Sequence, residues 1–234
     1  MNGAVAIWHD IAPEGLAEFY AWHGEEHMPE RVSIPGFRNG RRFIARSADL
    51  QFFNLYETDS PDIVRGSDYM ARLDSPTPRT LSAVRYFRQV ARSLCRVVAS
   101  HRAAESGIAQ GGLVATLRYD IDEANESAHL DIFRLQIIPS LAERAGIAVV
   151  SLLVADRAAS GYVNAEQRAR GAANLVPPII LVVEGWTDES DFVTQVNAVL
   201  APDAMQRHAL TGTANLGIYA HQVTIQKART GGLS

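Results

Sequence analysis

The chain has very little cysteine, and this excludes an internal disulfide. Cys95 is the only cysteine among 234 residues, so the fold must be held by its core, and we expect a reducing, cytoplasmic location. Cys95 lies in the apolar run SLCRVV. Because a free cysteine usually behaves as a small buried hydrophobe, we expect it to be a packed side chain and not a nucleophile.

Long apolar runs and a large net charge are also missing. The longest apolar run, residues 176–183, is far too short to cross a bilayer. The opening MNGAVAIWHD has no basic segment followed by a long apolar one, which argues against a secretory signal. The net charge of −4 gives no electrostatic case for nucleic acid or an anionic membrane. The expected partner is a small-molecule substrate, and a homodimer is left open.

Motifs for nucleotide and serine chemistry are absent from the sequence. There is no G-x-G-x-x-G or P-loop pattern, and we interpret Gly111-Gly112 as a linker rather than a phosphate cradle. Ser33 and Ser151 lie in no nucleophile-elbow pattern. These absences argue against nucleotide chemistry and serine hydrolysis.

An internal repeat is present at an offset of 110 residues. EHMPERVSIPGFRNGRRFIA, starting at Glu26, aligns without a gap with QIIPSLAERAGIAVVSLLVA, starting at Gln136. Further matches at this offset are Asp10-Ile11 with Asp120-Ile121, Pro29 with Pro139, and Gly36 with Gly146. The order of these matches predicts a duplicated structural unit.

Each half shows the same order of elements. Short runs rich in β-branched and aromatic residues predict strands at 4–11, 38–46, 51–57, 90–100, 113–121, 148–155, 179–186 and 215–224. Apolar residues at helical spacing predict helices at 13–34, 63–88, 123–145 and 190–200.

This βαββαβ order predicts an α+β fold of two tandem ferredoxin-like units, packed sheet-on-sheet as an intramolecular α+β barrel. The predicted units are 1–104 and 111–227. The segment 156–178 is an insertion in the second unit, which we interpret as a surface loop or a lid. The tail 227–234 is expected to fray.

The stretch WHGEEHMPERVSIPGF holds the most informative side chains. His23 and His27 are four residues apart, so on a helix they share one face. That face carries apolar residues and should point at the sheet, which places both histidines in a cavity or in the core. In the repeat, His23 aligns with Phe133 and His27 with Ile137. Since the second copy is apolar there, the fold does not need these histidines, and a functional site in the first half is favoured.

The first half also resembles a known superfamily. The pattern W-H-x-x-x-H-x-P, followed by P-G-F and an arginine-rich strand, is similar to the dimeric α+β barrel superfamily, and within it to the EthD-like and stress-responsive small proteins. The residues that carry the resemblance are Trp22, His23, Glu26, His27, Pro29, Pro35, Gly36, Phe37 and Arg42. The superfamily includes cofactor-free isomerases, polyketide cyclases and monooxygenases as well as haem-binding enzymes, so the resemblance implies the architecture and not the reaction.

Two groups of residues are candidates for the site. The candidate catalytic residues are His23, His27, Arg42 and Tyr56. The candidate substrate-binding residues are His9, Trp22, Glu26, Phe37, Asn54 and Tyr69. An arginine in such a pocket would hold a carboxylate or an enolate oxygen. Arg38 and Arg41 are expected to be solvated strand residues. No metal ligand and no cofactor is assigned.

Three functions remain open at this point. The first is a cofactor-independent lyase or isomerase that uses histidine acid/base chemistry for isomerisation, cyclisation, dehydration or decarboxylation of a small oxygenated aromatic or lactone-type intermediate. The second is a metal- or haem-binding oxidative enzyme that uses the His23 and His27 pair. The third is a non-catalytic ligand-binding stress-response protein.

Overall fold

Eight antiparallel strands close into a barrel. The computed structural model describes residues 1–102, 110–201 and 214–227. The strands are β1 (Gly3–Ile11), β2 (Phe37–Ser47), β3 (Phe52–Thr58), β4 (Phe87–Arg102), β5 (Leu113–Tyr119), β6 (Ile147–Ala155), β7 (Ile179–Gly185) and β8 (Asn215–Gln226). Their order around the barrel is β1-β3-β2-β8-β5-β7-β6-β4.

The two halves of the chain each supply four neighbouring strands. β2 pairs with β8 and β4 pairs with β6, and these two contacts join the halves and close the barrel. The predicted α+β barrel of two tandem βαββαβ units is confirmed. The boundary placed at residue 104 lies outside the described residues, as does the expected fraying beyond Lys227, so the division into 1–104 and 111–227 stays an interpretation.

Helices cover the outside of the barrel. They are α1 (Leu16–Trp22), α2 (Met28–Ser33), α3 (Ser67–Asp74), α4 (Pro78–Ala83), α5 (Glu126–Ile132), α6 (Ile138–Ala142), α7 (Arg157–Ser160), α8 (Ala165–Arg170) and α9 (Glu189–Leu200). The helices predicted at 13–34 and 123–145 are each interrupted by a π-helical turn, His23–His27 in the first half and Phe133–Ile137 in the second.

The duplication is visible in the backbone. The two π-helical turns lie 110 residues apart in sequence, as the repeat alignment requires. Gly36 and Gly146 have positive φ angles of 84° and 79°, and each lies in the turn between a helix and the next strand, directly before β2 and β6 respectively. A side chain is strained in this left-handed region, so glycine is needed at both positions.

The barrel interior is packed with apolar side chains from both halves, including Trp8, Phe43, Phe53 and Tyr219. Cys95 belongs to this core and is 1% exposed, which confirms that it is a packed side chain. Burial raises the pKa of its thiol, so it is a poor nucleophile.

The prediction for Arg41 was wrong. It was expected to be a solvated strand residue, but it is 1% exposed. Its guanidinium donates to Glu184 at 2.7 Å and to Glu57 at 2.9 Å. Because β2 and β7 come from different halves, this buried network ties the two halves together. Arg38, by contrast, is half exposed beside Asp59, as expected of a strand residue facing solvent.

The insertion 156–178, predicted as a surface loop or a lid, consists of two short helices and the loops around them. It contains α7 and α8, which begin at Asp156 and Asn164, residues whose side chains accept hydrogen bonds from Ala159 and Gln167 backbone amides. These polar caps mark where the two helices start, although the segment has little of the apolar periodicity by which a helix is usually predicted. The segment lies against the first half, where it forms one wall of the site described next.

Candidate active site

The π-helical turn places two histidines on the inner side of the helix. His23 is 3% exposed and His27 is 8% exposed. Their ring centroids are 5.5 Å apart and their planes differ by 24°, so the rings stack. The turn itself does not identify a site, because the second half has the same turn with Phe133 and Ile137 in place of the histidines.

His23 is sealed between the helix and the sheet. Arg42 donates from Nη1 to His23 Nδ1 at 3.2 Å, and since a guanidinium only donates, His23 must carry its proton on Nε2. Burial lowers the pKa of His23 well below its ordinary value of 6.5, and His27 and Arg42 lower it further. The neutral ring is therefore held in one orientation. It contacts Arg42 and His27 and does not line the cavity described below.

His9 and Asn54 form a second buried pair in the same layer. Asn54 Nδ2 lies 2.9 Å from His9 Nε2, and the histidine packs against the rings of Phe19, Phe52 and Phe87. Burial lowers the pKa of His9 to about 3. This pair supports the sheet behind the histidines and does not line the cavity.

A cavity of about 70 Å³ lies beside His27, between the first-half sheet and its helices. A water needs roughly 10–15 Å³ measured in this way, so the cavity has room for about five waters or a compact ligand. The cavity is lined by Val5, Ile7, Trp22, His27, Arg31, Phe37, Tyr56, Tyr69, Leu73, Val84, Phe87, Val90, Arg92, Asn164, Glu166, Gln167, Arg170 and Asn174.

Four polar atoms of the residues that line this cavity are buried and have no partner among the described residues: His27 Nδ1, the Tyr56 hydroxyl, Arg31 Nη1 and Arg170 Nε. Leaving such a group unsatisfied costs about 1–3 kcal/mol, so a ligand or water in the cavity would stabilise them. Burial lowers the pKa of His27 well below 6.5, and the positive charge of Arg31 lowers it further. Burial raises the pKa of Tyr56. At neutral pH the site therefore offers a neutral imidazole and a protonated phenol.

The aromatic candidates surround these two groups. Trp22 Nε1 donates to Thr80 at 3.1 Å while its ring lies 4.4 Å from that of His27. Phe37 packs against Tyr69, with centroids 5.6 Å apart. These rings form the apolar part of the wall and fix the orientation of the polar groups.

The insertion supplies the opposite wall. Glu166 on α8 forms a buried ion pair with Arg31 on α2, so the second half closes the cavity of the first. Arg92 on β4 donates to the Tyr69 hydroxyl at 2.8 Å. Arg170, also on α8, lines the same space. Burial raises the pKa of Glu166, and Arg31 and Arg92 partly offset this effect.

The sequence candidates thus divide into three groups. The cavity is lined by five of them, namely His27, Trp22, Phe37, Tyr56 and Tyr69. The buried layer next to it holds His9, His23, Arg42 and Asn54. Glu26 lies outside both and accepts a hydrogen bond from Thr77 on the outer side of the helix.

Sequence reasoning missed the charged residues Arg31, Arg92, Glu166 and Arg170. Arg31 lies four residues after His27 and shares its face of the helix, so helical spacing was the one signal that could have found it. Arg92, Glu166 and Arg170 come from distant segments, and only the folded chain brings them together.

Within residues 1–102, 110–201 and 214–227, no group of three or more histidine, cysteine, aspartate or glutamate side chains is placed to hold a metal ion. A haem is much larger than the cavity beside His27 and does not fit it in this conformation. The same described ranges contain no helix long and apolar enough to cross a membrane.

No protein-family model matches the sequence, and no curated protein matches it. Solved structures do match. An anthrone oxidase-like protein aligns with a TM-score of 0.62 and 12% identity, over 99% of this chain and 95% of that chain. A protein assigned as a monooxygenase from Fusobacterium nucleatum aligns with a TM-score of 0.57 and 10% identity, over 99% of this chain and 96% of the other.

A third structure, assigned as a monooxygenase from Lactobacillus acidophilus, aligns with a TM-score of 0.55 and 9% identity, over 97% of each chain. Likeness at these identities shows a shared fold and nothing of the reaction. It confirms the resemblance to the dimeric α+β barrel superfamily at the level of the fold. The finer likeness to EthD-like and stress-responsive proteins stays a prediction.

Proposed function

We propose that the protein is an enzyme that removes a proton from a small oxygenated substrate in the cavity, with His27 as the general base. The observation that carries this proposal is that His27 lines the cavity and has a buried Nδ1 without a partner among the described residues. A neutral imidazole with its proton on Nε2 presents this nitrogen as an acceptor.

The neighbouring groups suit the charge that such a reaction creates. When a proton leaves the carbon next to a carbonyl, negative charge builds up on the carbonyl oxygen. Arg31 has an unpartnered, buried Nη1, and Tyr56 has an unpartnered hydroxyl. Both are donors, so either can stabilise the enolate oxygen.

His23 and Arg42 are proposed to act through His27. His23 is stacked on His27 and is fixed by Arg42, so the pair holds the base in one orientation without touching the substrate. After proton removal the enolate can isomerise by taking the proton back at another carbon, lose a β-hydroxyl as water with the proton held on His27, or cyclise by attack on a second carbonyl of the same molecule. Decarboxylation instead forms the enolate directly by loss of CO₂, and the enolate then takes up a proton. None of them requires a group beyond these side chains and the substrate.

The reaction can be tested by proton exchange in D₂O. The protein is incubated with small ketones, 2-oxo acids, unsaturated lactones and phenols, and loss of the C–H signal is followed by ¹H NMR. We expect deuterium to enter at least one compound with the wild-type protein and not with His27→Ile. The control is His101→Gln, which changes an exposed histidine. If no compound exchanges, or if His27→Ile exchanges as fast as wild type, base catalysis by His27 is wrong.

A second candidate is oxygenation of the same deprotonated substrate by O₂. It is suggested only by the names of the matching structures, an anthrone oxidase-like protein and two proteins assigned as monooxygenases, whose likeness to this chain shows the fold alone. Oxygen consumption in an electrode cell separates the candidates, because the isomerase or lyase reaction consumes none. Binding without exchange or oxygen uptake would instead favour the ligand-binding alternative.

A further inference from the structure

Positively charged side chains outnumber negatively charged ones around the cavity. Among the described residues that line it, three are arginines, Arg31, Arg92 and Arg170, and one is a carboxylate, Glu166. All three arginines act electrostatically on the Glu166 carboxyl, so they form one cluster around it. Glu166 balances one of the three positive charges, and the cavity retains an excess.

The cluster also has unused hydrogen-bond donors. Arg31 Nη1 and Arg170 Nε are buried and have no partner among the described residues. Arg31 itself is 3% exposed. Burying a cation without full pairing is costly, and a buried ion pair serving only to close the wall would not need the two additional arginines.

We infer that the cavity takes a small organic anion, whose carboxylate binds to the cluster of Arg31, Arg92 and Arg170. A carboxylate accepts from guanidinium groups in a planar, paired geometry, which neutral oxygens match less well. The inference deepens the proposed function, on which it rests: the substrate carries a carboxylate as well as the carbon that loses a proton. A compact 2-oxo acid has both features.

Glu166 has a specific part in this inference. Its carboxylate already occupies Arg31 in the ion pair that closes the cavity, and it repels an incoming anion. Glu166 therefore sets the strength of anion binding, and the second half of the chain determines which charge the first half accepts. Removing this negative charge should strengthen carboxylate binding, whereas removing an arginine should weaken it.

The test is calorimetric titration of the full-length protein with pyruvate and benzoate, and with their neutral counterparts pyruvamide and benzamide. We expect at least one carboxylate to bind about tenfold more tightly than its amide, the factor that loss of one charge-assisted hydrogen bond produces. High salt should reduce this preference. Equal binding of acid and amide, or no binding of either carboxylate, would overturn the inference.

Charge variants supply the second arm of the test. Glu166→Gln should tighten carboxylate binding and Arg92→Gln should weaken it, each by about tenfold. The matched control is Glu189→Gln, which removes the same charge at the exposed Arg46 pair and should leave binding unchanged. Arg170→Gln, at a half-buried position on α8, tests the same point if Glu166→Gln does not fold. Unchanged affinity in the cavity variants would overturn the inference.

The inference and the proposed function can fail separately. Carboxylate binding without deuterium exchange would leave the anion site in place and overturn base catalysis by His27. Exchange of a neutral ketone, with no preference for carboxylates in binding, would leave base catalysis in place and overturn the anion site.

Discussion

Arg31 on α2 and Glu166 on α8 form a buried ion pair between residues that lie 135 positions apart in sequence. The arginine belongs to the half that carries His27, and the glutamate belongs to the insertion of the other half. The pair therefore couples the duplicated halves at the cavity. The eight strands close the barrel without the insertion, whereas the wall of the cavity depends on it.

A double-mutant cycle on this pair should show strong coupling. Arg31→Met or Glu166→Leu alone leaves a buried charge without its partner, and each should lower the free energy of unfolding by about 3–5 kcal/mol. The double variant should lose less than the sum of the two, because neither member of this pair is left without the other. Urea unfolding at neutral pH measures all four proteins. Additive losses would show that the ion pair does not close the cavity in solution.

The repeat predicts opposite effects of exchanging residues between the two π-helical turns. His27→Ile places the residue of the second half into the first and should preserve folding while abolishing proton exchange. Ile137→His buries a polar group in an apolar core and should destabilise by about 1–3 kcal/mol. Thermal unfolding followed by circular dichroism checks both variants. Equal stability of the two would contradict the assignment of the polar pocket to the first half.

Stability should fall as the pH drops below 6.5. Burial lowers the pKa of His9 to about 3 and that of His23 and His27 well below 6.5. The unfolded chain therefore binds protons near pH 6.5 that the folded chain does not, so the free energy of unfolding decreases from there downward. Each histidine contributes at most about 1.4 kcal/mol per pH unit.

The measurement for this prediction is urea unfolding between pH 7.5 and pH 5, with His23→Phe as the variant. Its pH slope should be shallower than that of wild type by about 1 kcal/mol per pH unit. His101→Gln, a change at the exposed end of β4, should keep the wild-type slope. An unchanged slope in His23→Phe would show that His23 is not held neutral in the folded state.

The buried network in the barrel should matter more than a surface pair of the same type. Glu184→Ala leaves Arg41 with only Glu57 as its partner and should cost about 3–5 kcal/mol. Glu189→Ala breaks the exposed pair with Arg46 and should cost less than about 1 kcal/mol. Chemical unfolding of both variants gives the comparison. Similar small losses would mean that the network does not tie the halves together.

The fold was predictable because its signals are local and repeated. The strands have β-branched runs, and the repeat fixes Gly36 and Gly146 at equivalent turns. The prediction for Arg41 was wrong because its burial depends on Glu184, on a strand of the other half that no local pattern connects to it. Similarly, polar capping residues at Asp156 and Asn164 begin helices that apolar periodicity does not show.

The candidate site was predictable only in part. The comparison of His27 with Ile137 pointed to a polar pocket in the first half, and the structure places His27 at the cavity. The same reasoning placed His23 beside it, but the ring of Phe19 and the guanidinium of Arg42 seal His23 away. The charged cluster was not predictable, since Arg92, Glu166 and Arg170 meet through tertiary contacts alone.

The most direct test of the central claim is a crystal structure of the protein with the compound from the exchange and binding assays that binds most tightly. We expect electron density in the cavity between His27, Tyr56 and Arg31, with α8 closed over it and the reacting carbon next to His27 Nδ1. If the compound binds elsewhere, such as in the groove between β4 and α5 lined by Val98 and Leu130, and the cavity is unchanged, then His27 is not the base for that compound.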